Sequence, residues 1–531
     1  MQYLCTTCSL ILKLSNSLSK SIRFLVLCCF HFLYLRVNPF IIQLFYFLSL
    51  SSLGFLLLIA FNPRTDSFRP RNFDFFFTSV SAATVSSMST VEMEVFSNTQ
   101  LIILTILIFI GGEVFTSMVG LFLRQFKLKQ TGDKVVSVPN LIEQIEMGLQ
   151  VRDPKSKNLN LETKVPDHCP IETILDSKLL MYHSIKYLGF VVLGYFLVVQ
   201  VLGVAMVSIY LALASNARNI LKNKGLKMMT FSIFTTVSTF ASCGFVPTNE
   251  NMMVFSKNSG LLLILIPQVL MGNTLFPSCL RFLIWVLGKL NIKKEESKFL
   301  LENSAGIGYL HLLSSLHSSL LVGSVFGFIF IQFVLFCFIE WNSESLSRLS
   351  SHEKLIGSLF QTVNTRHTGE TIVDLSIISP AILVLFIVMM YLPPYTSFLP
   401  IKENEKNPEK SERRKKTRGK IMENLIFSQL SYLVIFIILV CITERKKLKQ
   451  DPLNFNALNI ALEVISAYGN VGFTTGYSCK RQLNPNIDCK DKWFGFSGKW
   501  SDEGKMILIV VMFFGRLKKF NMNGGRAWIL L

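Results

Sequence analysis

The chain has 531 residues; half are hydrophobic, only 16% are charged, and the formal net charge is +19. Soluble globular chains carry about 25% charged residues. An ordinary soluble protein of several domains is therefore excluded, and uncharged runs near the ~20 residues that cross a bilayer point to an integral membrane protein. Such a basic chain raises nucleic acid as a partner, but many of its Lys and Arg residues flank apolar runs, where the positive-inside rule accounts for them. No nucleic acid is expected.

In chain order, residues 1–37 read as an N-terminal cytoplasmic tail. Its apolar stretch 24–34 is followed by no clear small-residue cleavage site, and Lys13, Lys20, Arg23 and Arg36 hold it back. Eight apolar segments follow: 38–61, 99–123 with Glu113, 187–214, 260–287 with Arg281, 320–339, 376–399 with Pro380, Pro393 and Pro394, 426–443, and a shorter 505–520 with Arg516. By length and hydropathy these are eight spanning helices. The polar stretches 125–178 and 401–421 read as cytoplasmic linkers, the second too charged to bury a core. Alternation of spans puts both termini, both linkers and the basic patch 289–298 on one side. Two basic patches, 218–227 and 445–449, then face outward against the charge rule.

Between the members of each helix pair lies a short polar segment: "FTSVSAATVSSMST" from Phe77, "FTTVSTFASCGFVPTNEN" from Phe234, "FQTVNTRHTGET" from Phe360 and "ALEVISAYGNVGFTTGYS" from Ala461. The first two align without a gap, and ten residues beyond each Phe come Ser87 and Gly244. Gly472 follows Ser466 by the same six residues that separate Ser81 from Ser87 and Ser238 from Gly244; the third segment runs one residue shorter, to Gly369. The fold expected is an all-α membrane protein with four helix–pore loop–helix pseudo-repeats around one central pore. The repeats are 38–124, 179–288, 289–400 and 422–531, the last with the C-terminal tail. The second helix of each is expected to break near its middle, at Gly111-Gly112, Gly272-Asn273, Pro393-Pro394 and Gly515-Arg516. Gly and Pro interrupt the hydrogen-bond ladder, and freed backbone is tolerated at membrane depth only where protein or water satisfies it.

A dehydrated cation needs oxygen ligands, and a ring of backbone carbonyls supplies them without fixed charge. Turning carbonyls to a common axis asks for small residues with permissive angles, glycine above all. Ser87, Gly244, Gly369 and Gly472 are the candidate filter, where Na⁺ is held transiently by carbonyls. Thr84, Val85, Ser86, Ser242, Cys243, Thr368, Asn470 and Val471 are the candidate flanking pore lining. The short helix expected over about 73–82 aims its partially negative C-terminus at the ion. The hydroxyls around it satisfy buried backbone groups.

The segments "TVSSMST", "STFASCGFVPTNENM", "NTRHTGETIVDLS" and "ISAYGNVGFTTGYS" resemble the four filter segments of the plant high-affinity potassium/sodium transporters, the HKT family, which groups with bacterial Trk and Ktr transporters. The resemblance runs from about residue 38 to the C-terminus. It implies a multi-pass plasma-membrane protein with four pseudo-repeats around one ion path, a homodimer as in related transporters, and a role in removing Na⁺ from the xylem. In that family Ser at the first filter position goes with Na⁺-selective transport in most members, and Gly with combined Na⁺ and K⁺ transport, so Ser87 implies the Na⁺-selective type. Ser242 departs from the Asn often found there. Arg516 matches the cationic residue of the last helix that restricts the path. On the residues alone, Arg516 equally suits a helix that ends at Phe514 and lets the side chain reach the cytoplasmic interface.

Other polar residues carry lesser expectations. Glu113 pairs with a cation of another repeat. Arg366 and His367 anchor the third loop. Glu370, Glu92 and Glu94 sit at the outer mouth and concentrate cations. Cys479 and Cys489 share one polar loop, where a disulfide and two free thiols both stay open. No Walker A motif, nucleophile–base pair or metal motif stands out; His311 and His317 do not make one. The reading is thus a passive Na⁺-selective uniporter without cofactor, driven by the membrane potential at about 2.3 kcal/mol per charge per 100 mV. A K⁺-permeable or Na⁺/K⁺-coupled carrier is the alternative in kind, and a non-conducting scaffold or receptor the alternative in class.

Overall fold

The computed structural model describes residues 39–64, 69–136, 171–396, 429–482, 489 and 491–521. The tail 1–37, most of the linker 125–178 and the linker 401–421 lie outside the described residues. The chain is all-α: the described residues hold helices, loops and one isolated bridge, Tyr477 with Lys492.

Helix α1 (Pro39–Ala60) opens on a proline, whose missing N–H is no loss at the first helical position. The short α2 (Asn72–Ala83) follows. A capping box then opens α3 (Asn98–Gly111): Ser97 and Gln100 satisfy each other's backbone N–H groups. After α4 (Glu113–Val136) come α5 (Ile171–Leu213), α6 (Ser215–Asn223) and the short α7 (Met228–Phe240). Next are α8 (Ser259–Gly272), α9 (Phe276–Lys289), α10 (Lys294–Glu302) and α11 (Ser315–Glu340). Ser350 and Glu353 form a second capping box for the short α12 (Ser351–Asn364). Then α13 (Pro380–Tyr391) stops just before Pro393-Pro394. The last part holds α14 (Gln429–Thr443), α15 (Arg445–Gln450), the short α16 (Ala457–Gly469) capped by Asn456, and α17 (Asp502–Asn521).

Three helices, α1, α5 and α11, are long and apolar enough to cross a membrane. The pairs α3/α4 and α8/α9, bent by 53° and 82°, each qualify as one broken span, which makes five by length and composition. Helices α13 and α14 are apolar but have only 12 and 15 residues, and α17 carries Asp502, Glu503, Lys505, Arg516 and Lys518. Each of the eight expected segments contains a helix, but these three miss the length or charge criterion. Large apolar side chains face outward along the long helices, Phe338 at 86% exposure among them, with Val201, Phe330 and Leu56. Apolar surface on that scale belongs against lipid rather than water.

The short helices organise the interior. Helix α7 packs against α3, α12 against α8, α16 against α13, and α2 against α17, which closes the circle. Each short helix therefore leans on the helix that follows the short helix before it. Within three of the repeats, the short helix also meets the helix that follows it backbone on backbone. A Cβ on Gly111, Gly272 or Gly515 would run into the carbonyl of Ala83, Phe240 or Tyr468, each at the C-terminal end of a short helix. For Gly515 this corrects the expectation of a break. Helix α17 runs unbroken from Asp502 to Asn521, so glycine is needed there for close approach. The second helices of the first two repeats break where expected, and α13 ends just before Pro393-Pro394.

Candidate functional site

Each short helix ends in a loop that turns back through the protein, and the four loops meet. Ser87, Gly244, Gly369 and Gly472 all line one cavity of about 200 Å³. All four have positive φ, of 46°, 79°, 66° and 100°. In three loops the residue two positions earlier is left-handed as well: Val85 at 58°, Ser242 at 62° and Asn470 at 52°. The residues between, Ser86, Cys243 and Val471, are not left-handed. Left-handed backbone costs an L-residue about 1–2 kcal/mol, and for β-branched valine it is a true outlier. Strain of this kind, repeated at matching places in three loops, is characteristic of a functional constraint.

The loops touch in sequence order. The Cys243 thiol lies against the Ser87 backbone. A Cβ on Gly244 would collide with the Thr368 carbonyl, one on Gly369 with the Val471 carbonyl, and one on Gly472 with the Ser87 side chain. At the last seam Ser87 Oγ donates to the Val471 carbonyl at 2.8 Å, and Asn470 Nδ2 donates to Ser86 Oγ at 2.7 Å. The four segments thus form a closed ring with no room for a side chain at three of its four narrow positions. Each begins at a helix C-terminus, where the macrodipole leaves partial negative charge.

The eight flanking positions are all buried around this ring but do not belong to the wall of the cavity. Thr84 Oγ1 donates to the Val80 carbonyl at 2.7 Å and meets Ser86 Oγ at 2.8 Å. Ser242 Oγ accepts from Asn273 Nδ2 at 3.0 Å, which ties the second loop to the break between α8 and α9. The hydroxyls of α2 answer as expected in part: Thr78 bonds the Asp74 carbonyl and Ser79 the Ser51 carbonyl, while Ser81 finds no protein partner.

None of the three acidic residues expected at the mouth belongs to the wall of the cavity, although Glu92 and Glu94 are bonded to residues that do. Glu370 is fully buried, and its carboxylate accepts from Thr239 Oγ1 at 2.5 Å, bracing the third loop against α7. Glu94 is 2.6 Å from Lys224 Nζ and also accepts from the Asn249 N–H; Glu92 accepts from the Trp493 N–H at 3.2 Å and lies 3.4 Å from Lys492. The carboxylates on the cavity wall are Glu250, Asp374 and Asp491, and its cations include Arg481 and Lys492. Sequence reading missed them because only the fold of the loops brings them to one rim. Glu250 and Glu94 share Lys224. Burial alone would lower that ammonium's affinity for its proton, but the two carboxylates outweigh it and raise its pKa above the usual value. This pairing neutralises Lys224, one of the four basic residues of the patch 218–227. In the patch 445–449, Lys447 pairs with Glu444 at 2.8 Å and donates to the Lys499 carbonyl.

Arg516 is buried and does not reach an interface. It donates to the carbonyl of Gly111, one of the groups freed by the break between α3 and α4, and its guanidinium lies 5.5 Å from the centre of the Phe47 ring. Glu113 is close enough for its charge to act on Arg516. Arg366 is buried too, donating to the Pro393 carbonyl at 2.8 Å and lying over Phe328. Cys479 and Cys489 form a disulfide, which settles the open alternative. Another contact sequence reading did not find is a buried ion pair, Lys505 Nζ to Asp74 Oδ1 at 3.0 Å, joining the start of α17 to the first turn of α2. The one signal was a lysine at the start of an apolar segment.

The family model described as TrkH, cation transport protein, matches residues 178–523. The chain is 54% identical over 478 residues to "Sodium transporter HKT1" of Arabidopsis thaliana, covering 88% of this chain and 90% of the relative. It is 48% identical over 522 residues to "Cation transporter HKT1;3" of Oryza sativa subsp. japonica, covering 97% and 95%. The crystal structure of the potassium transporter TrkH from Vibrio parahaemolyticus aligns at a TM-score of 0.48 and 15% identity, over 92% of this chain and 85% of that one. With these relatives and a ring of re-entrant loops inside apolar helices, the chain belongs to the TrkH family of cation transport proteins, among its HKT members, and is a multi-pass membrane cation transporter.

Proposed function

We propose that this transporter is a passive, Na⁺-selective uniporter of a plant plasma membrane, and that Ser87, Gly244, Gly369 and Gly472 form its filter. The observation that carries the reading is the closed ring of four left-handed residues at the floor of one water-accessible cavity. Carbonyls ordered in such a ring replace the hydration shell of a monovalent cation. The printed name of the Arabidopsis relative, a sodium transporter, favours Na⁺. So does Ser87: a hydroxyl at one of four positions narrows that quarter of the ring, which disfavours the larger K⁺. Eight spans in the four repeats 38–124, 179–288, 289–400 and 422–531, with both termini cytoplasmic, belong to the same reading, as do a homodimer and a role in sodium retrieval under salt stress. Arg516, held on the Gly111 carbonyl, restricts the path on the far side of the filter from the cavity.

Current–voltage recording in oocytes with Na⁺ and K⁺ in turn tests this. The native chain carries Na⁺ and little K⁺, and Ser87→Gly gains K⁺ current. A Ser87→Gly variant at the cell surface with no gain in K⁺ current removes Ser87 from the filter.

A further inference from the structure

At the seam between the first and fourth loops, two side-chain hydrogen bonds cross side by side at the level of the ring. The hydrogen bonds run in one direction. Thr84 Oγ1 spends its proton on the Val80 carbonyl at 2.7 Å, so Ser86 Oγ donates to Thr84 at 2.8 Å and has its lone pairs free to accept from Asn470 Nδ2 at 2.7 Å. Asn470 also donates to the Met512 carbonyl of α17 at 3.2 Å. One step along, Ser87 Oγ donates to the Val471 carbonyl. The result is a two-bond staple: Asn470 of the fourth loop grips Ser86 of the first, and Ser87 of the first grips Val471 of the fourth. Asparagine suits the task because it tolerates the left-handed φ of 52° better than other residues with a side-chain donor.

We propose that Asn470 is a specificity-determining positioning residue, and that the staple it forms with Ser86, Ser87 and Val471 disfavours K⁺ by resisting widening of the ring. This rests on the filter reading above. A larger cation must push the carbonyls apart, and at this seam that means stretching two hydrogen bonds at once. The bond from Ser87 also occupies one lone pair of the Val471 carbonyl, which leaves that carbonyl a poorer ligand for an ion that prefers more oxygens.

The test compares reversal potentials in mixed Na⁺ and K⁺ for Ser87→Ala, Asn470→Gly and Ser87→Gly, with surface protein quantified. Ser87→Ala keeps the Cβ and removes only the hydroxyl. Asn470→Gly keeps the left-handed backbone and removes the amide. Each is expected to lower the Na⁺/K⁺ permeability ratio about fivefold, the worth of one ordinary hydrogen bond. A general packing defect would reduce current without moving the reversal potential. If Ser87→Gly shifts the ratio but Ser87→Ala leaves it at the native value, the staple is wrong and the filter reading stands. If Ser87→Gly leaves it unchanged too, the filter reading falls with it. Should Asn470→Gly yield no surface protein, Ser86→Ala, which removes the acceptor of Asn470, takes its place, and an unchanged ratio in it overturns the role of Asn470.

Discussion

The buried pair of Asp74 and Lys505 gives the sharpest stability test. Lys505 is 2% exposed, its ammonium 3.0 Å from Asp74, while Asp74 has a second partner in Arg71 at 3.2 Å, a side chain 58% exposed. Removing one member of a buried pair strands the other charge at a cost of about 3–5 kcal/mol. Asp74→Asn strands Lys505 and is expected to cost that much. Lys505→Met leaves Asp74 with Arg71 and a place in the first turn of α2, where negative charge is favoured; its expected cost is about 1.5–3 kcal/mol, that of one hydrogen bond to a charged group. At about 2.1 cal/mol/K per residue, a chain of 531 residues melts with about 1.1 kcal/mol/K. Asp74→Asn should therefore lower the apparent Tm by about 3–5 °C and Lys505→Met by about 1–3 °C. The double variant, which buries no lone charge, should recover most of the loss. Thermal unfolding of detergent-solubilised protein, followed by size-exclusion chromatography, reads all three. Equal losses for the single variants that simply add in the double would show that the two groups are not coupled, and the reasoning would fail.

Glu370→Gln keeps an oxygen for Thr239 and should conduct nearly as the native chain does, whereas Glu370→Ala leaves the Thr239 hydroxyl buried without its acceptor, a loss of about 1–3 kcal/mol at the ring; cation uptake at matched surface level distinguishes them, and equal loss in both would assign the role to charge. The disulfide spans a separation of 10 residues, which in the chain-entropy picture stabilises the fold by about 2.7 kcal/mol; external reductant or Cys479→Ser should lower the apparent Tm by about 2 °C, and an unchanged Tm would mean the loop is held by its contacts with Glu92 and Asp491 instead.

Much was legible before any coordinates because two sequence signals are local. Apolar length shows where helices cross, and the repeated Phe-to-Gly spacing placed Ser87 in register with Gly244, and Gly472 in register with both through the serine six residues before. Glu370 was not legible, since a carboxylate next to a filter glycine reads as a mouth residue until Thr239 is found beneath it. Gly515 misled for a related reason: glycine breaks helices and also lets backbones touch, and only the Tyr468 carbonyl against it tells which. Arg516 was ambiguous because its acceptor, Gly111, lies some 400 residues away in the chain.

By itself, then, the sequence determined the helices, their breaks at proline and paired glycine, and the four recurring polar loops, all properties of short stretches obeying backbone sterics and hydropathy. The tertiary structure decided which carbonyls face which glycines, which carboxylates reach the rim, and which charges are buried in pairs. Those depend on contacts between residues distant along the chain, and no local propensity encodes a distance that only the closing of the ring creates.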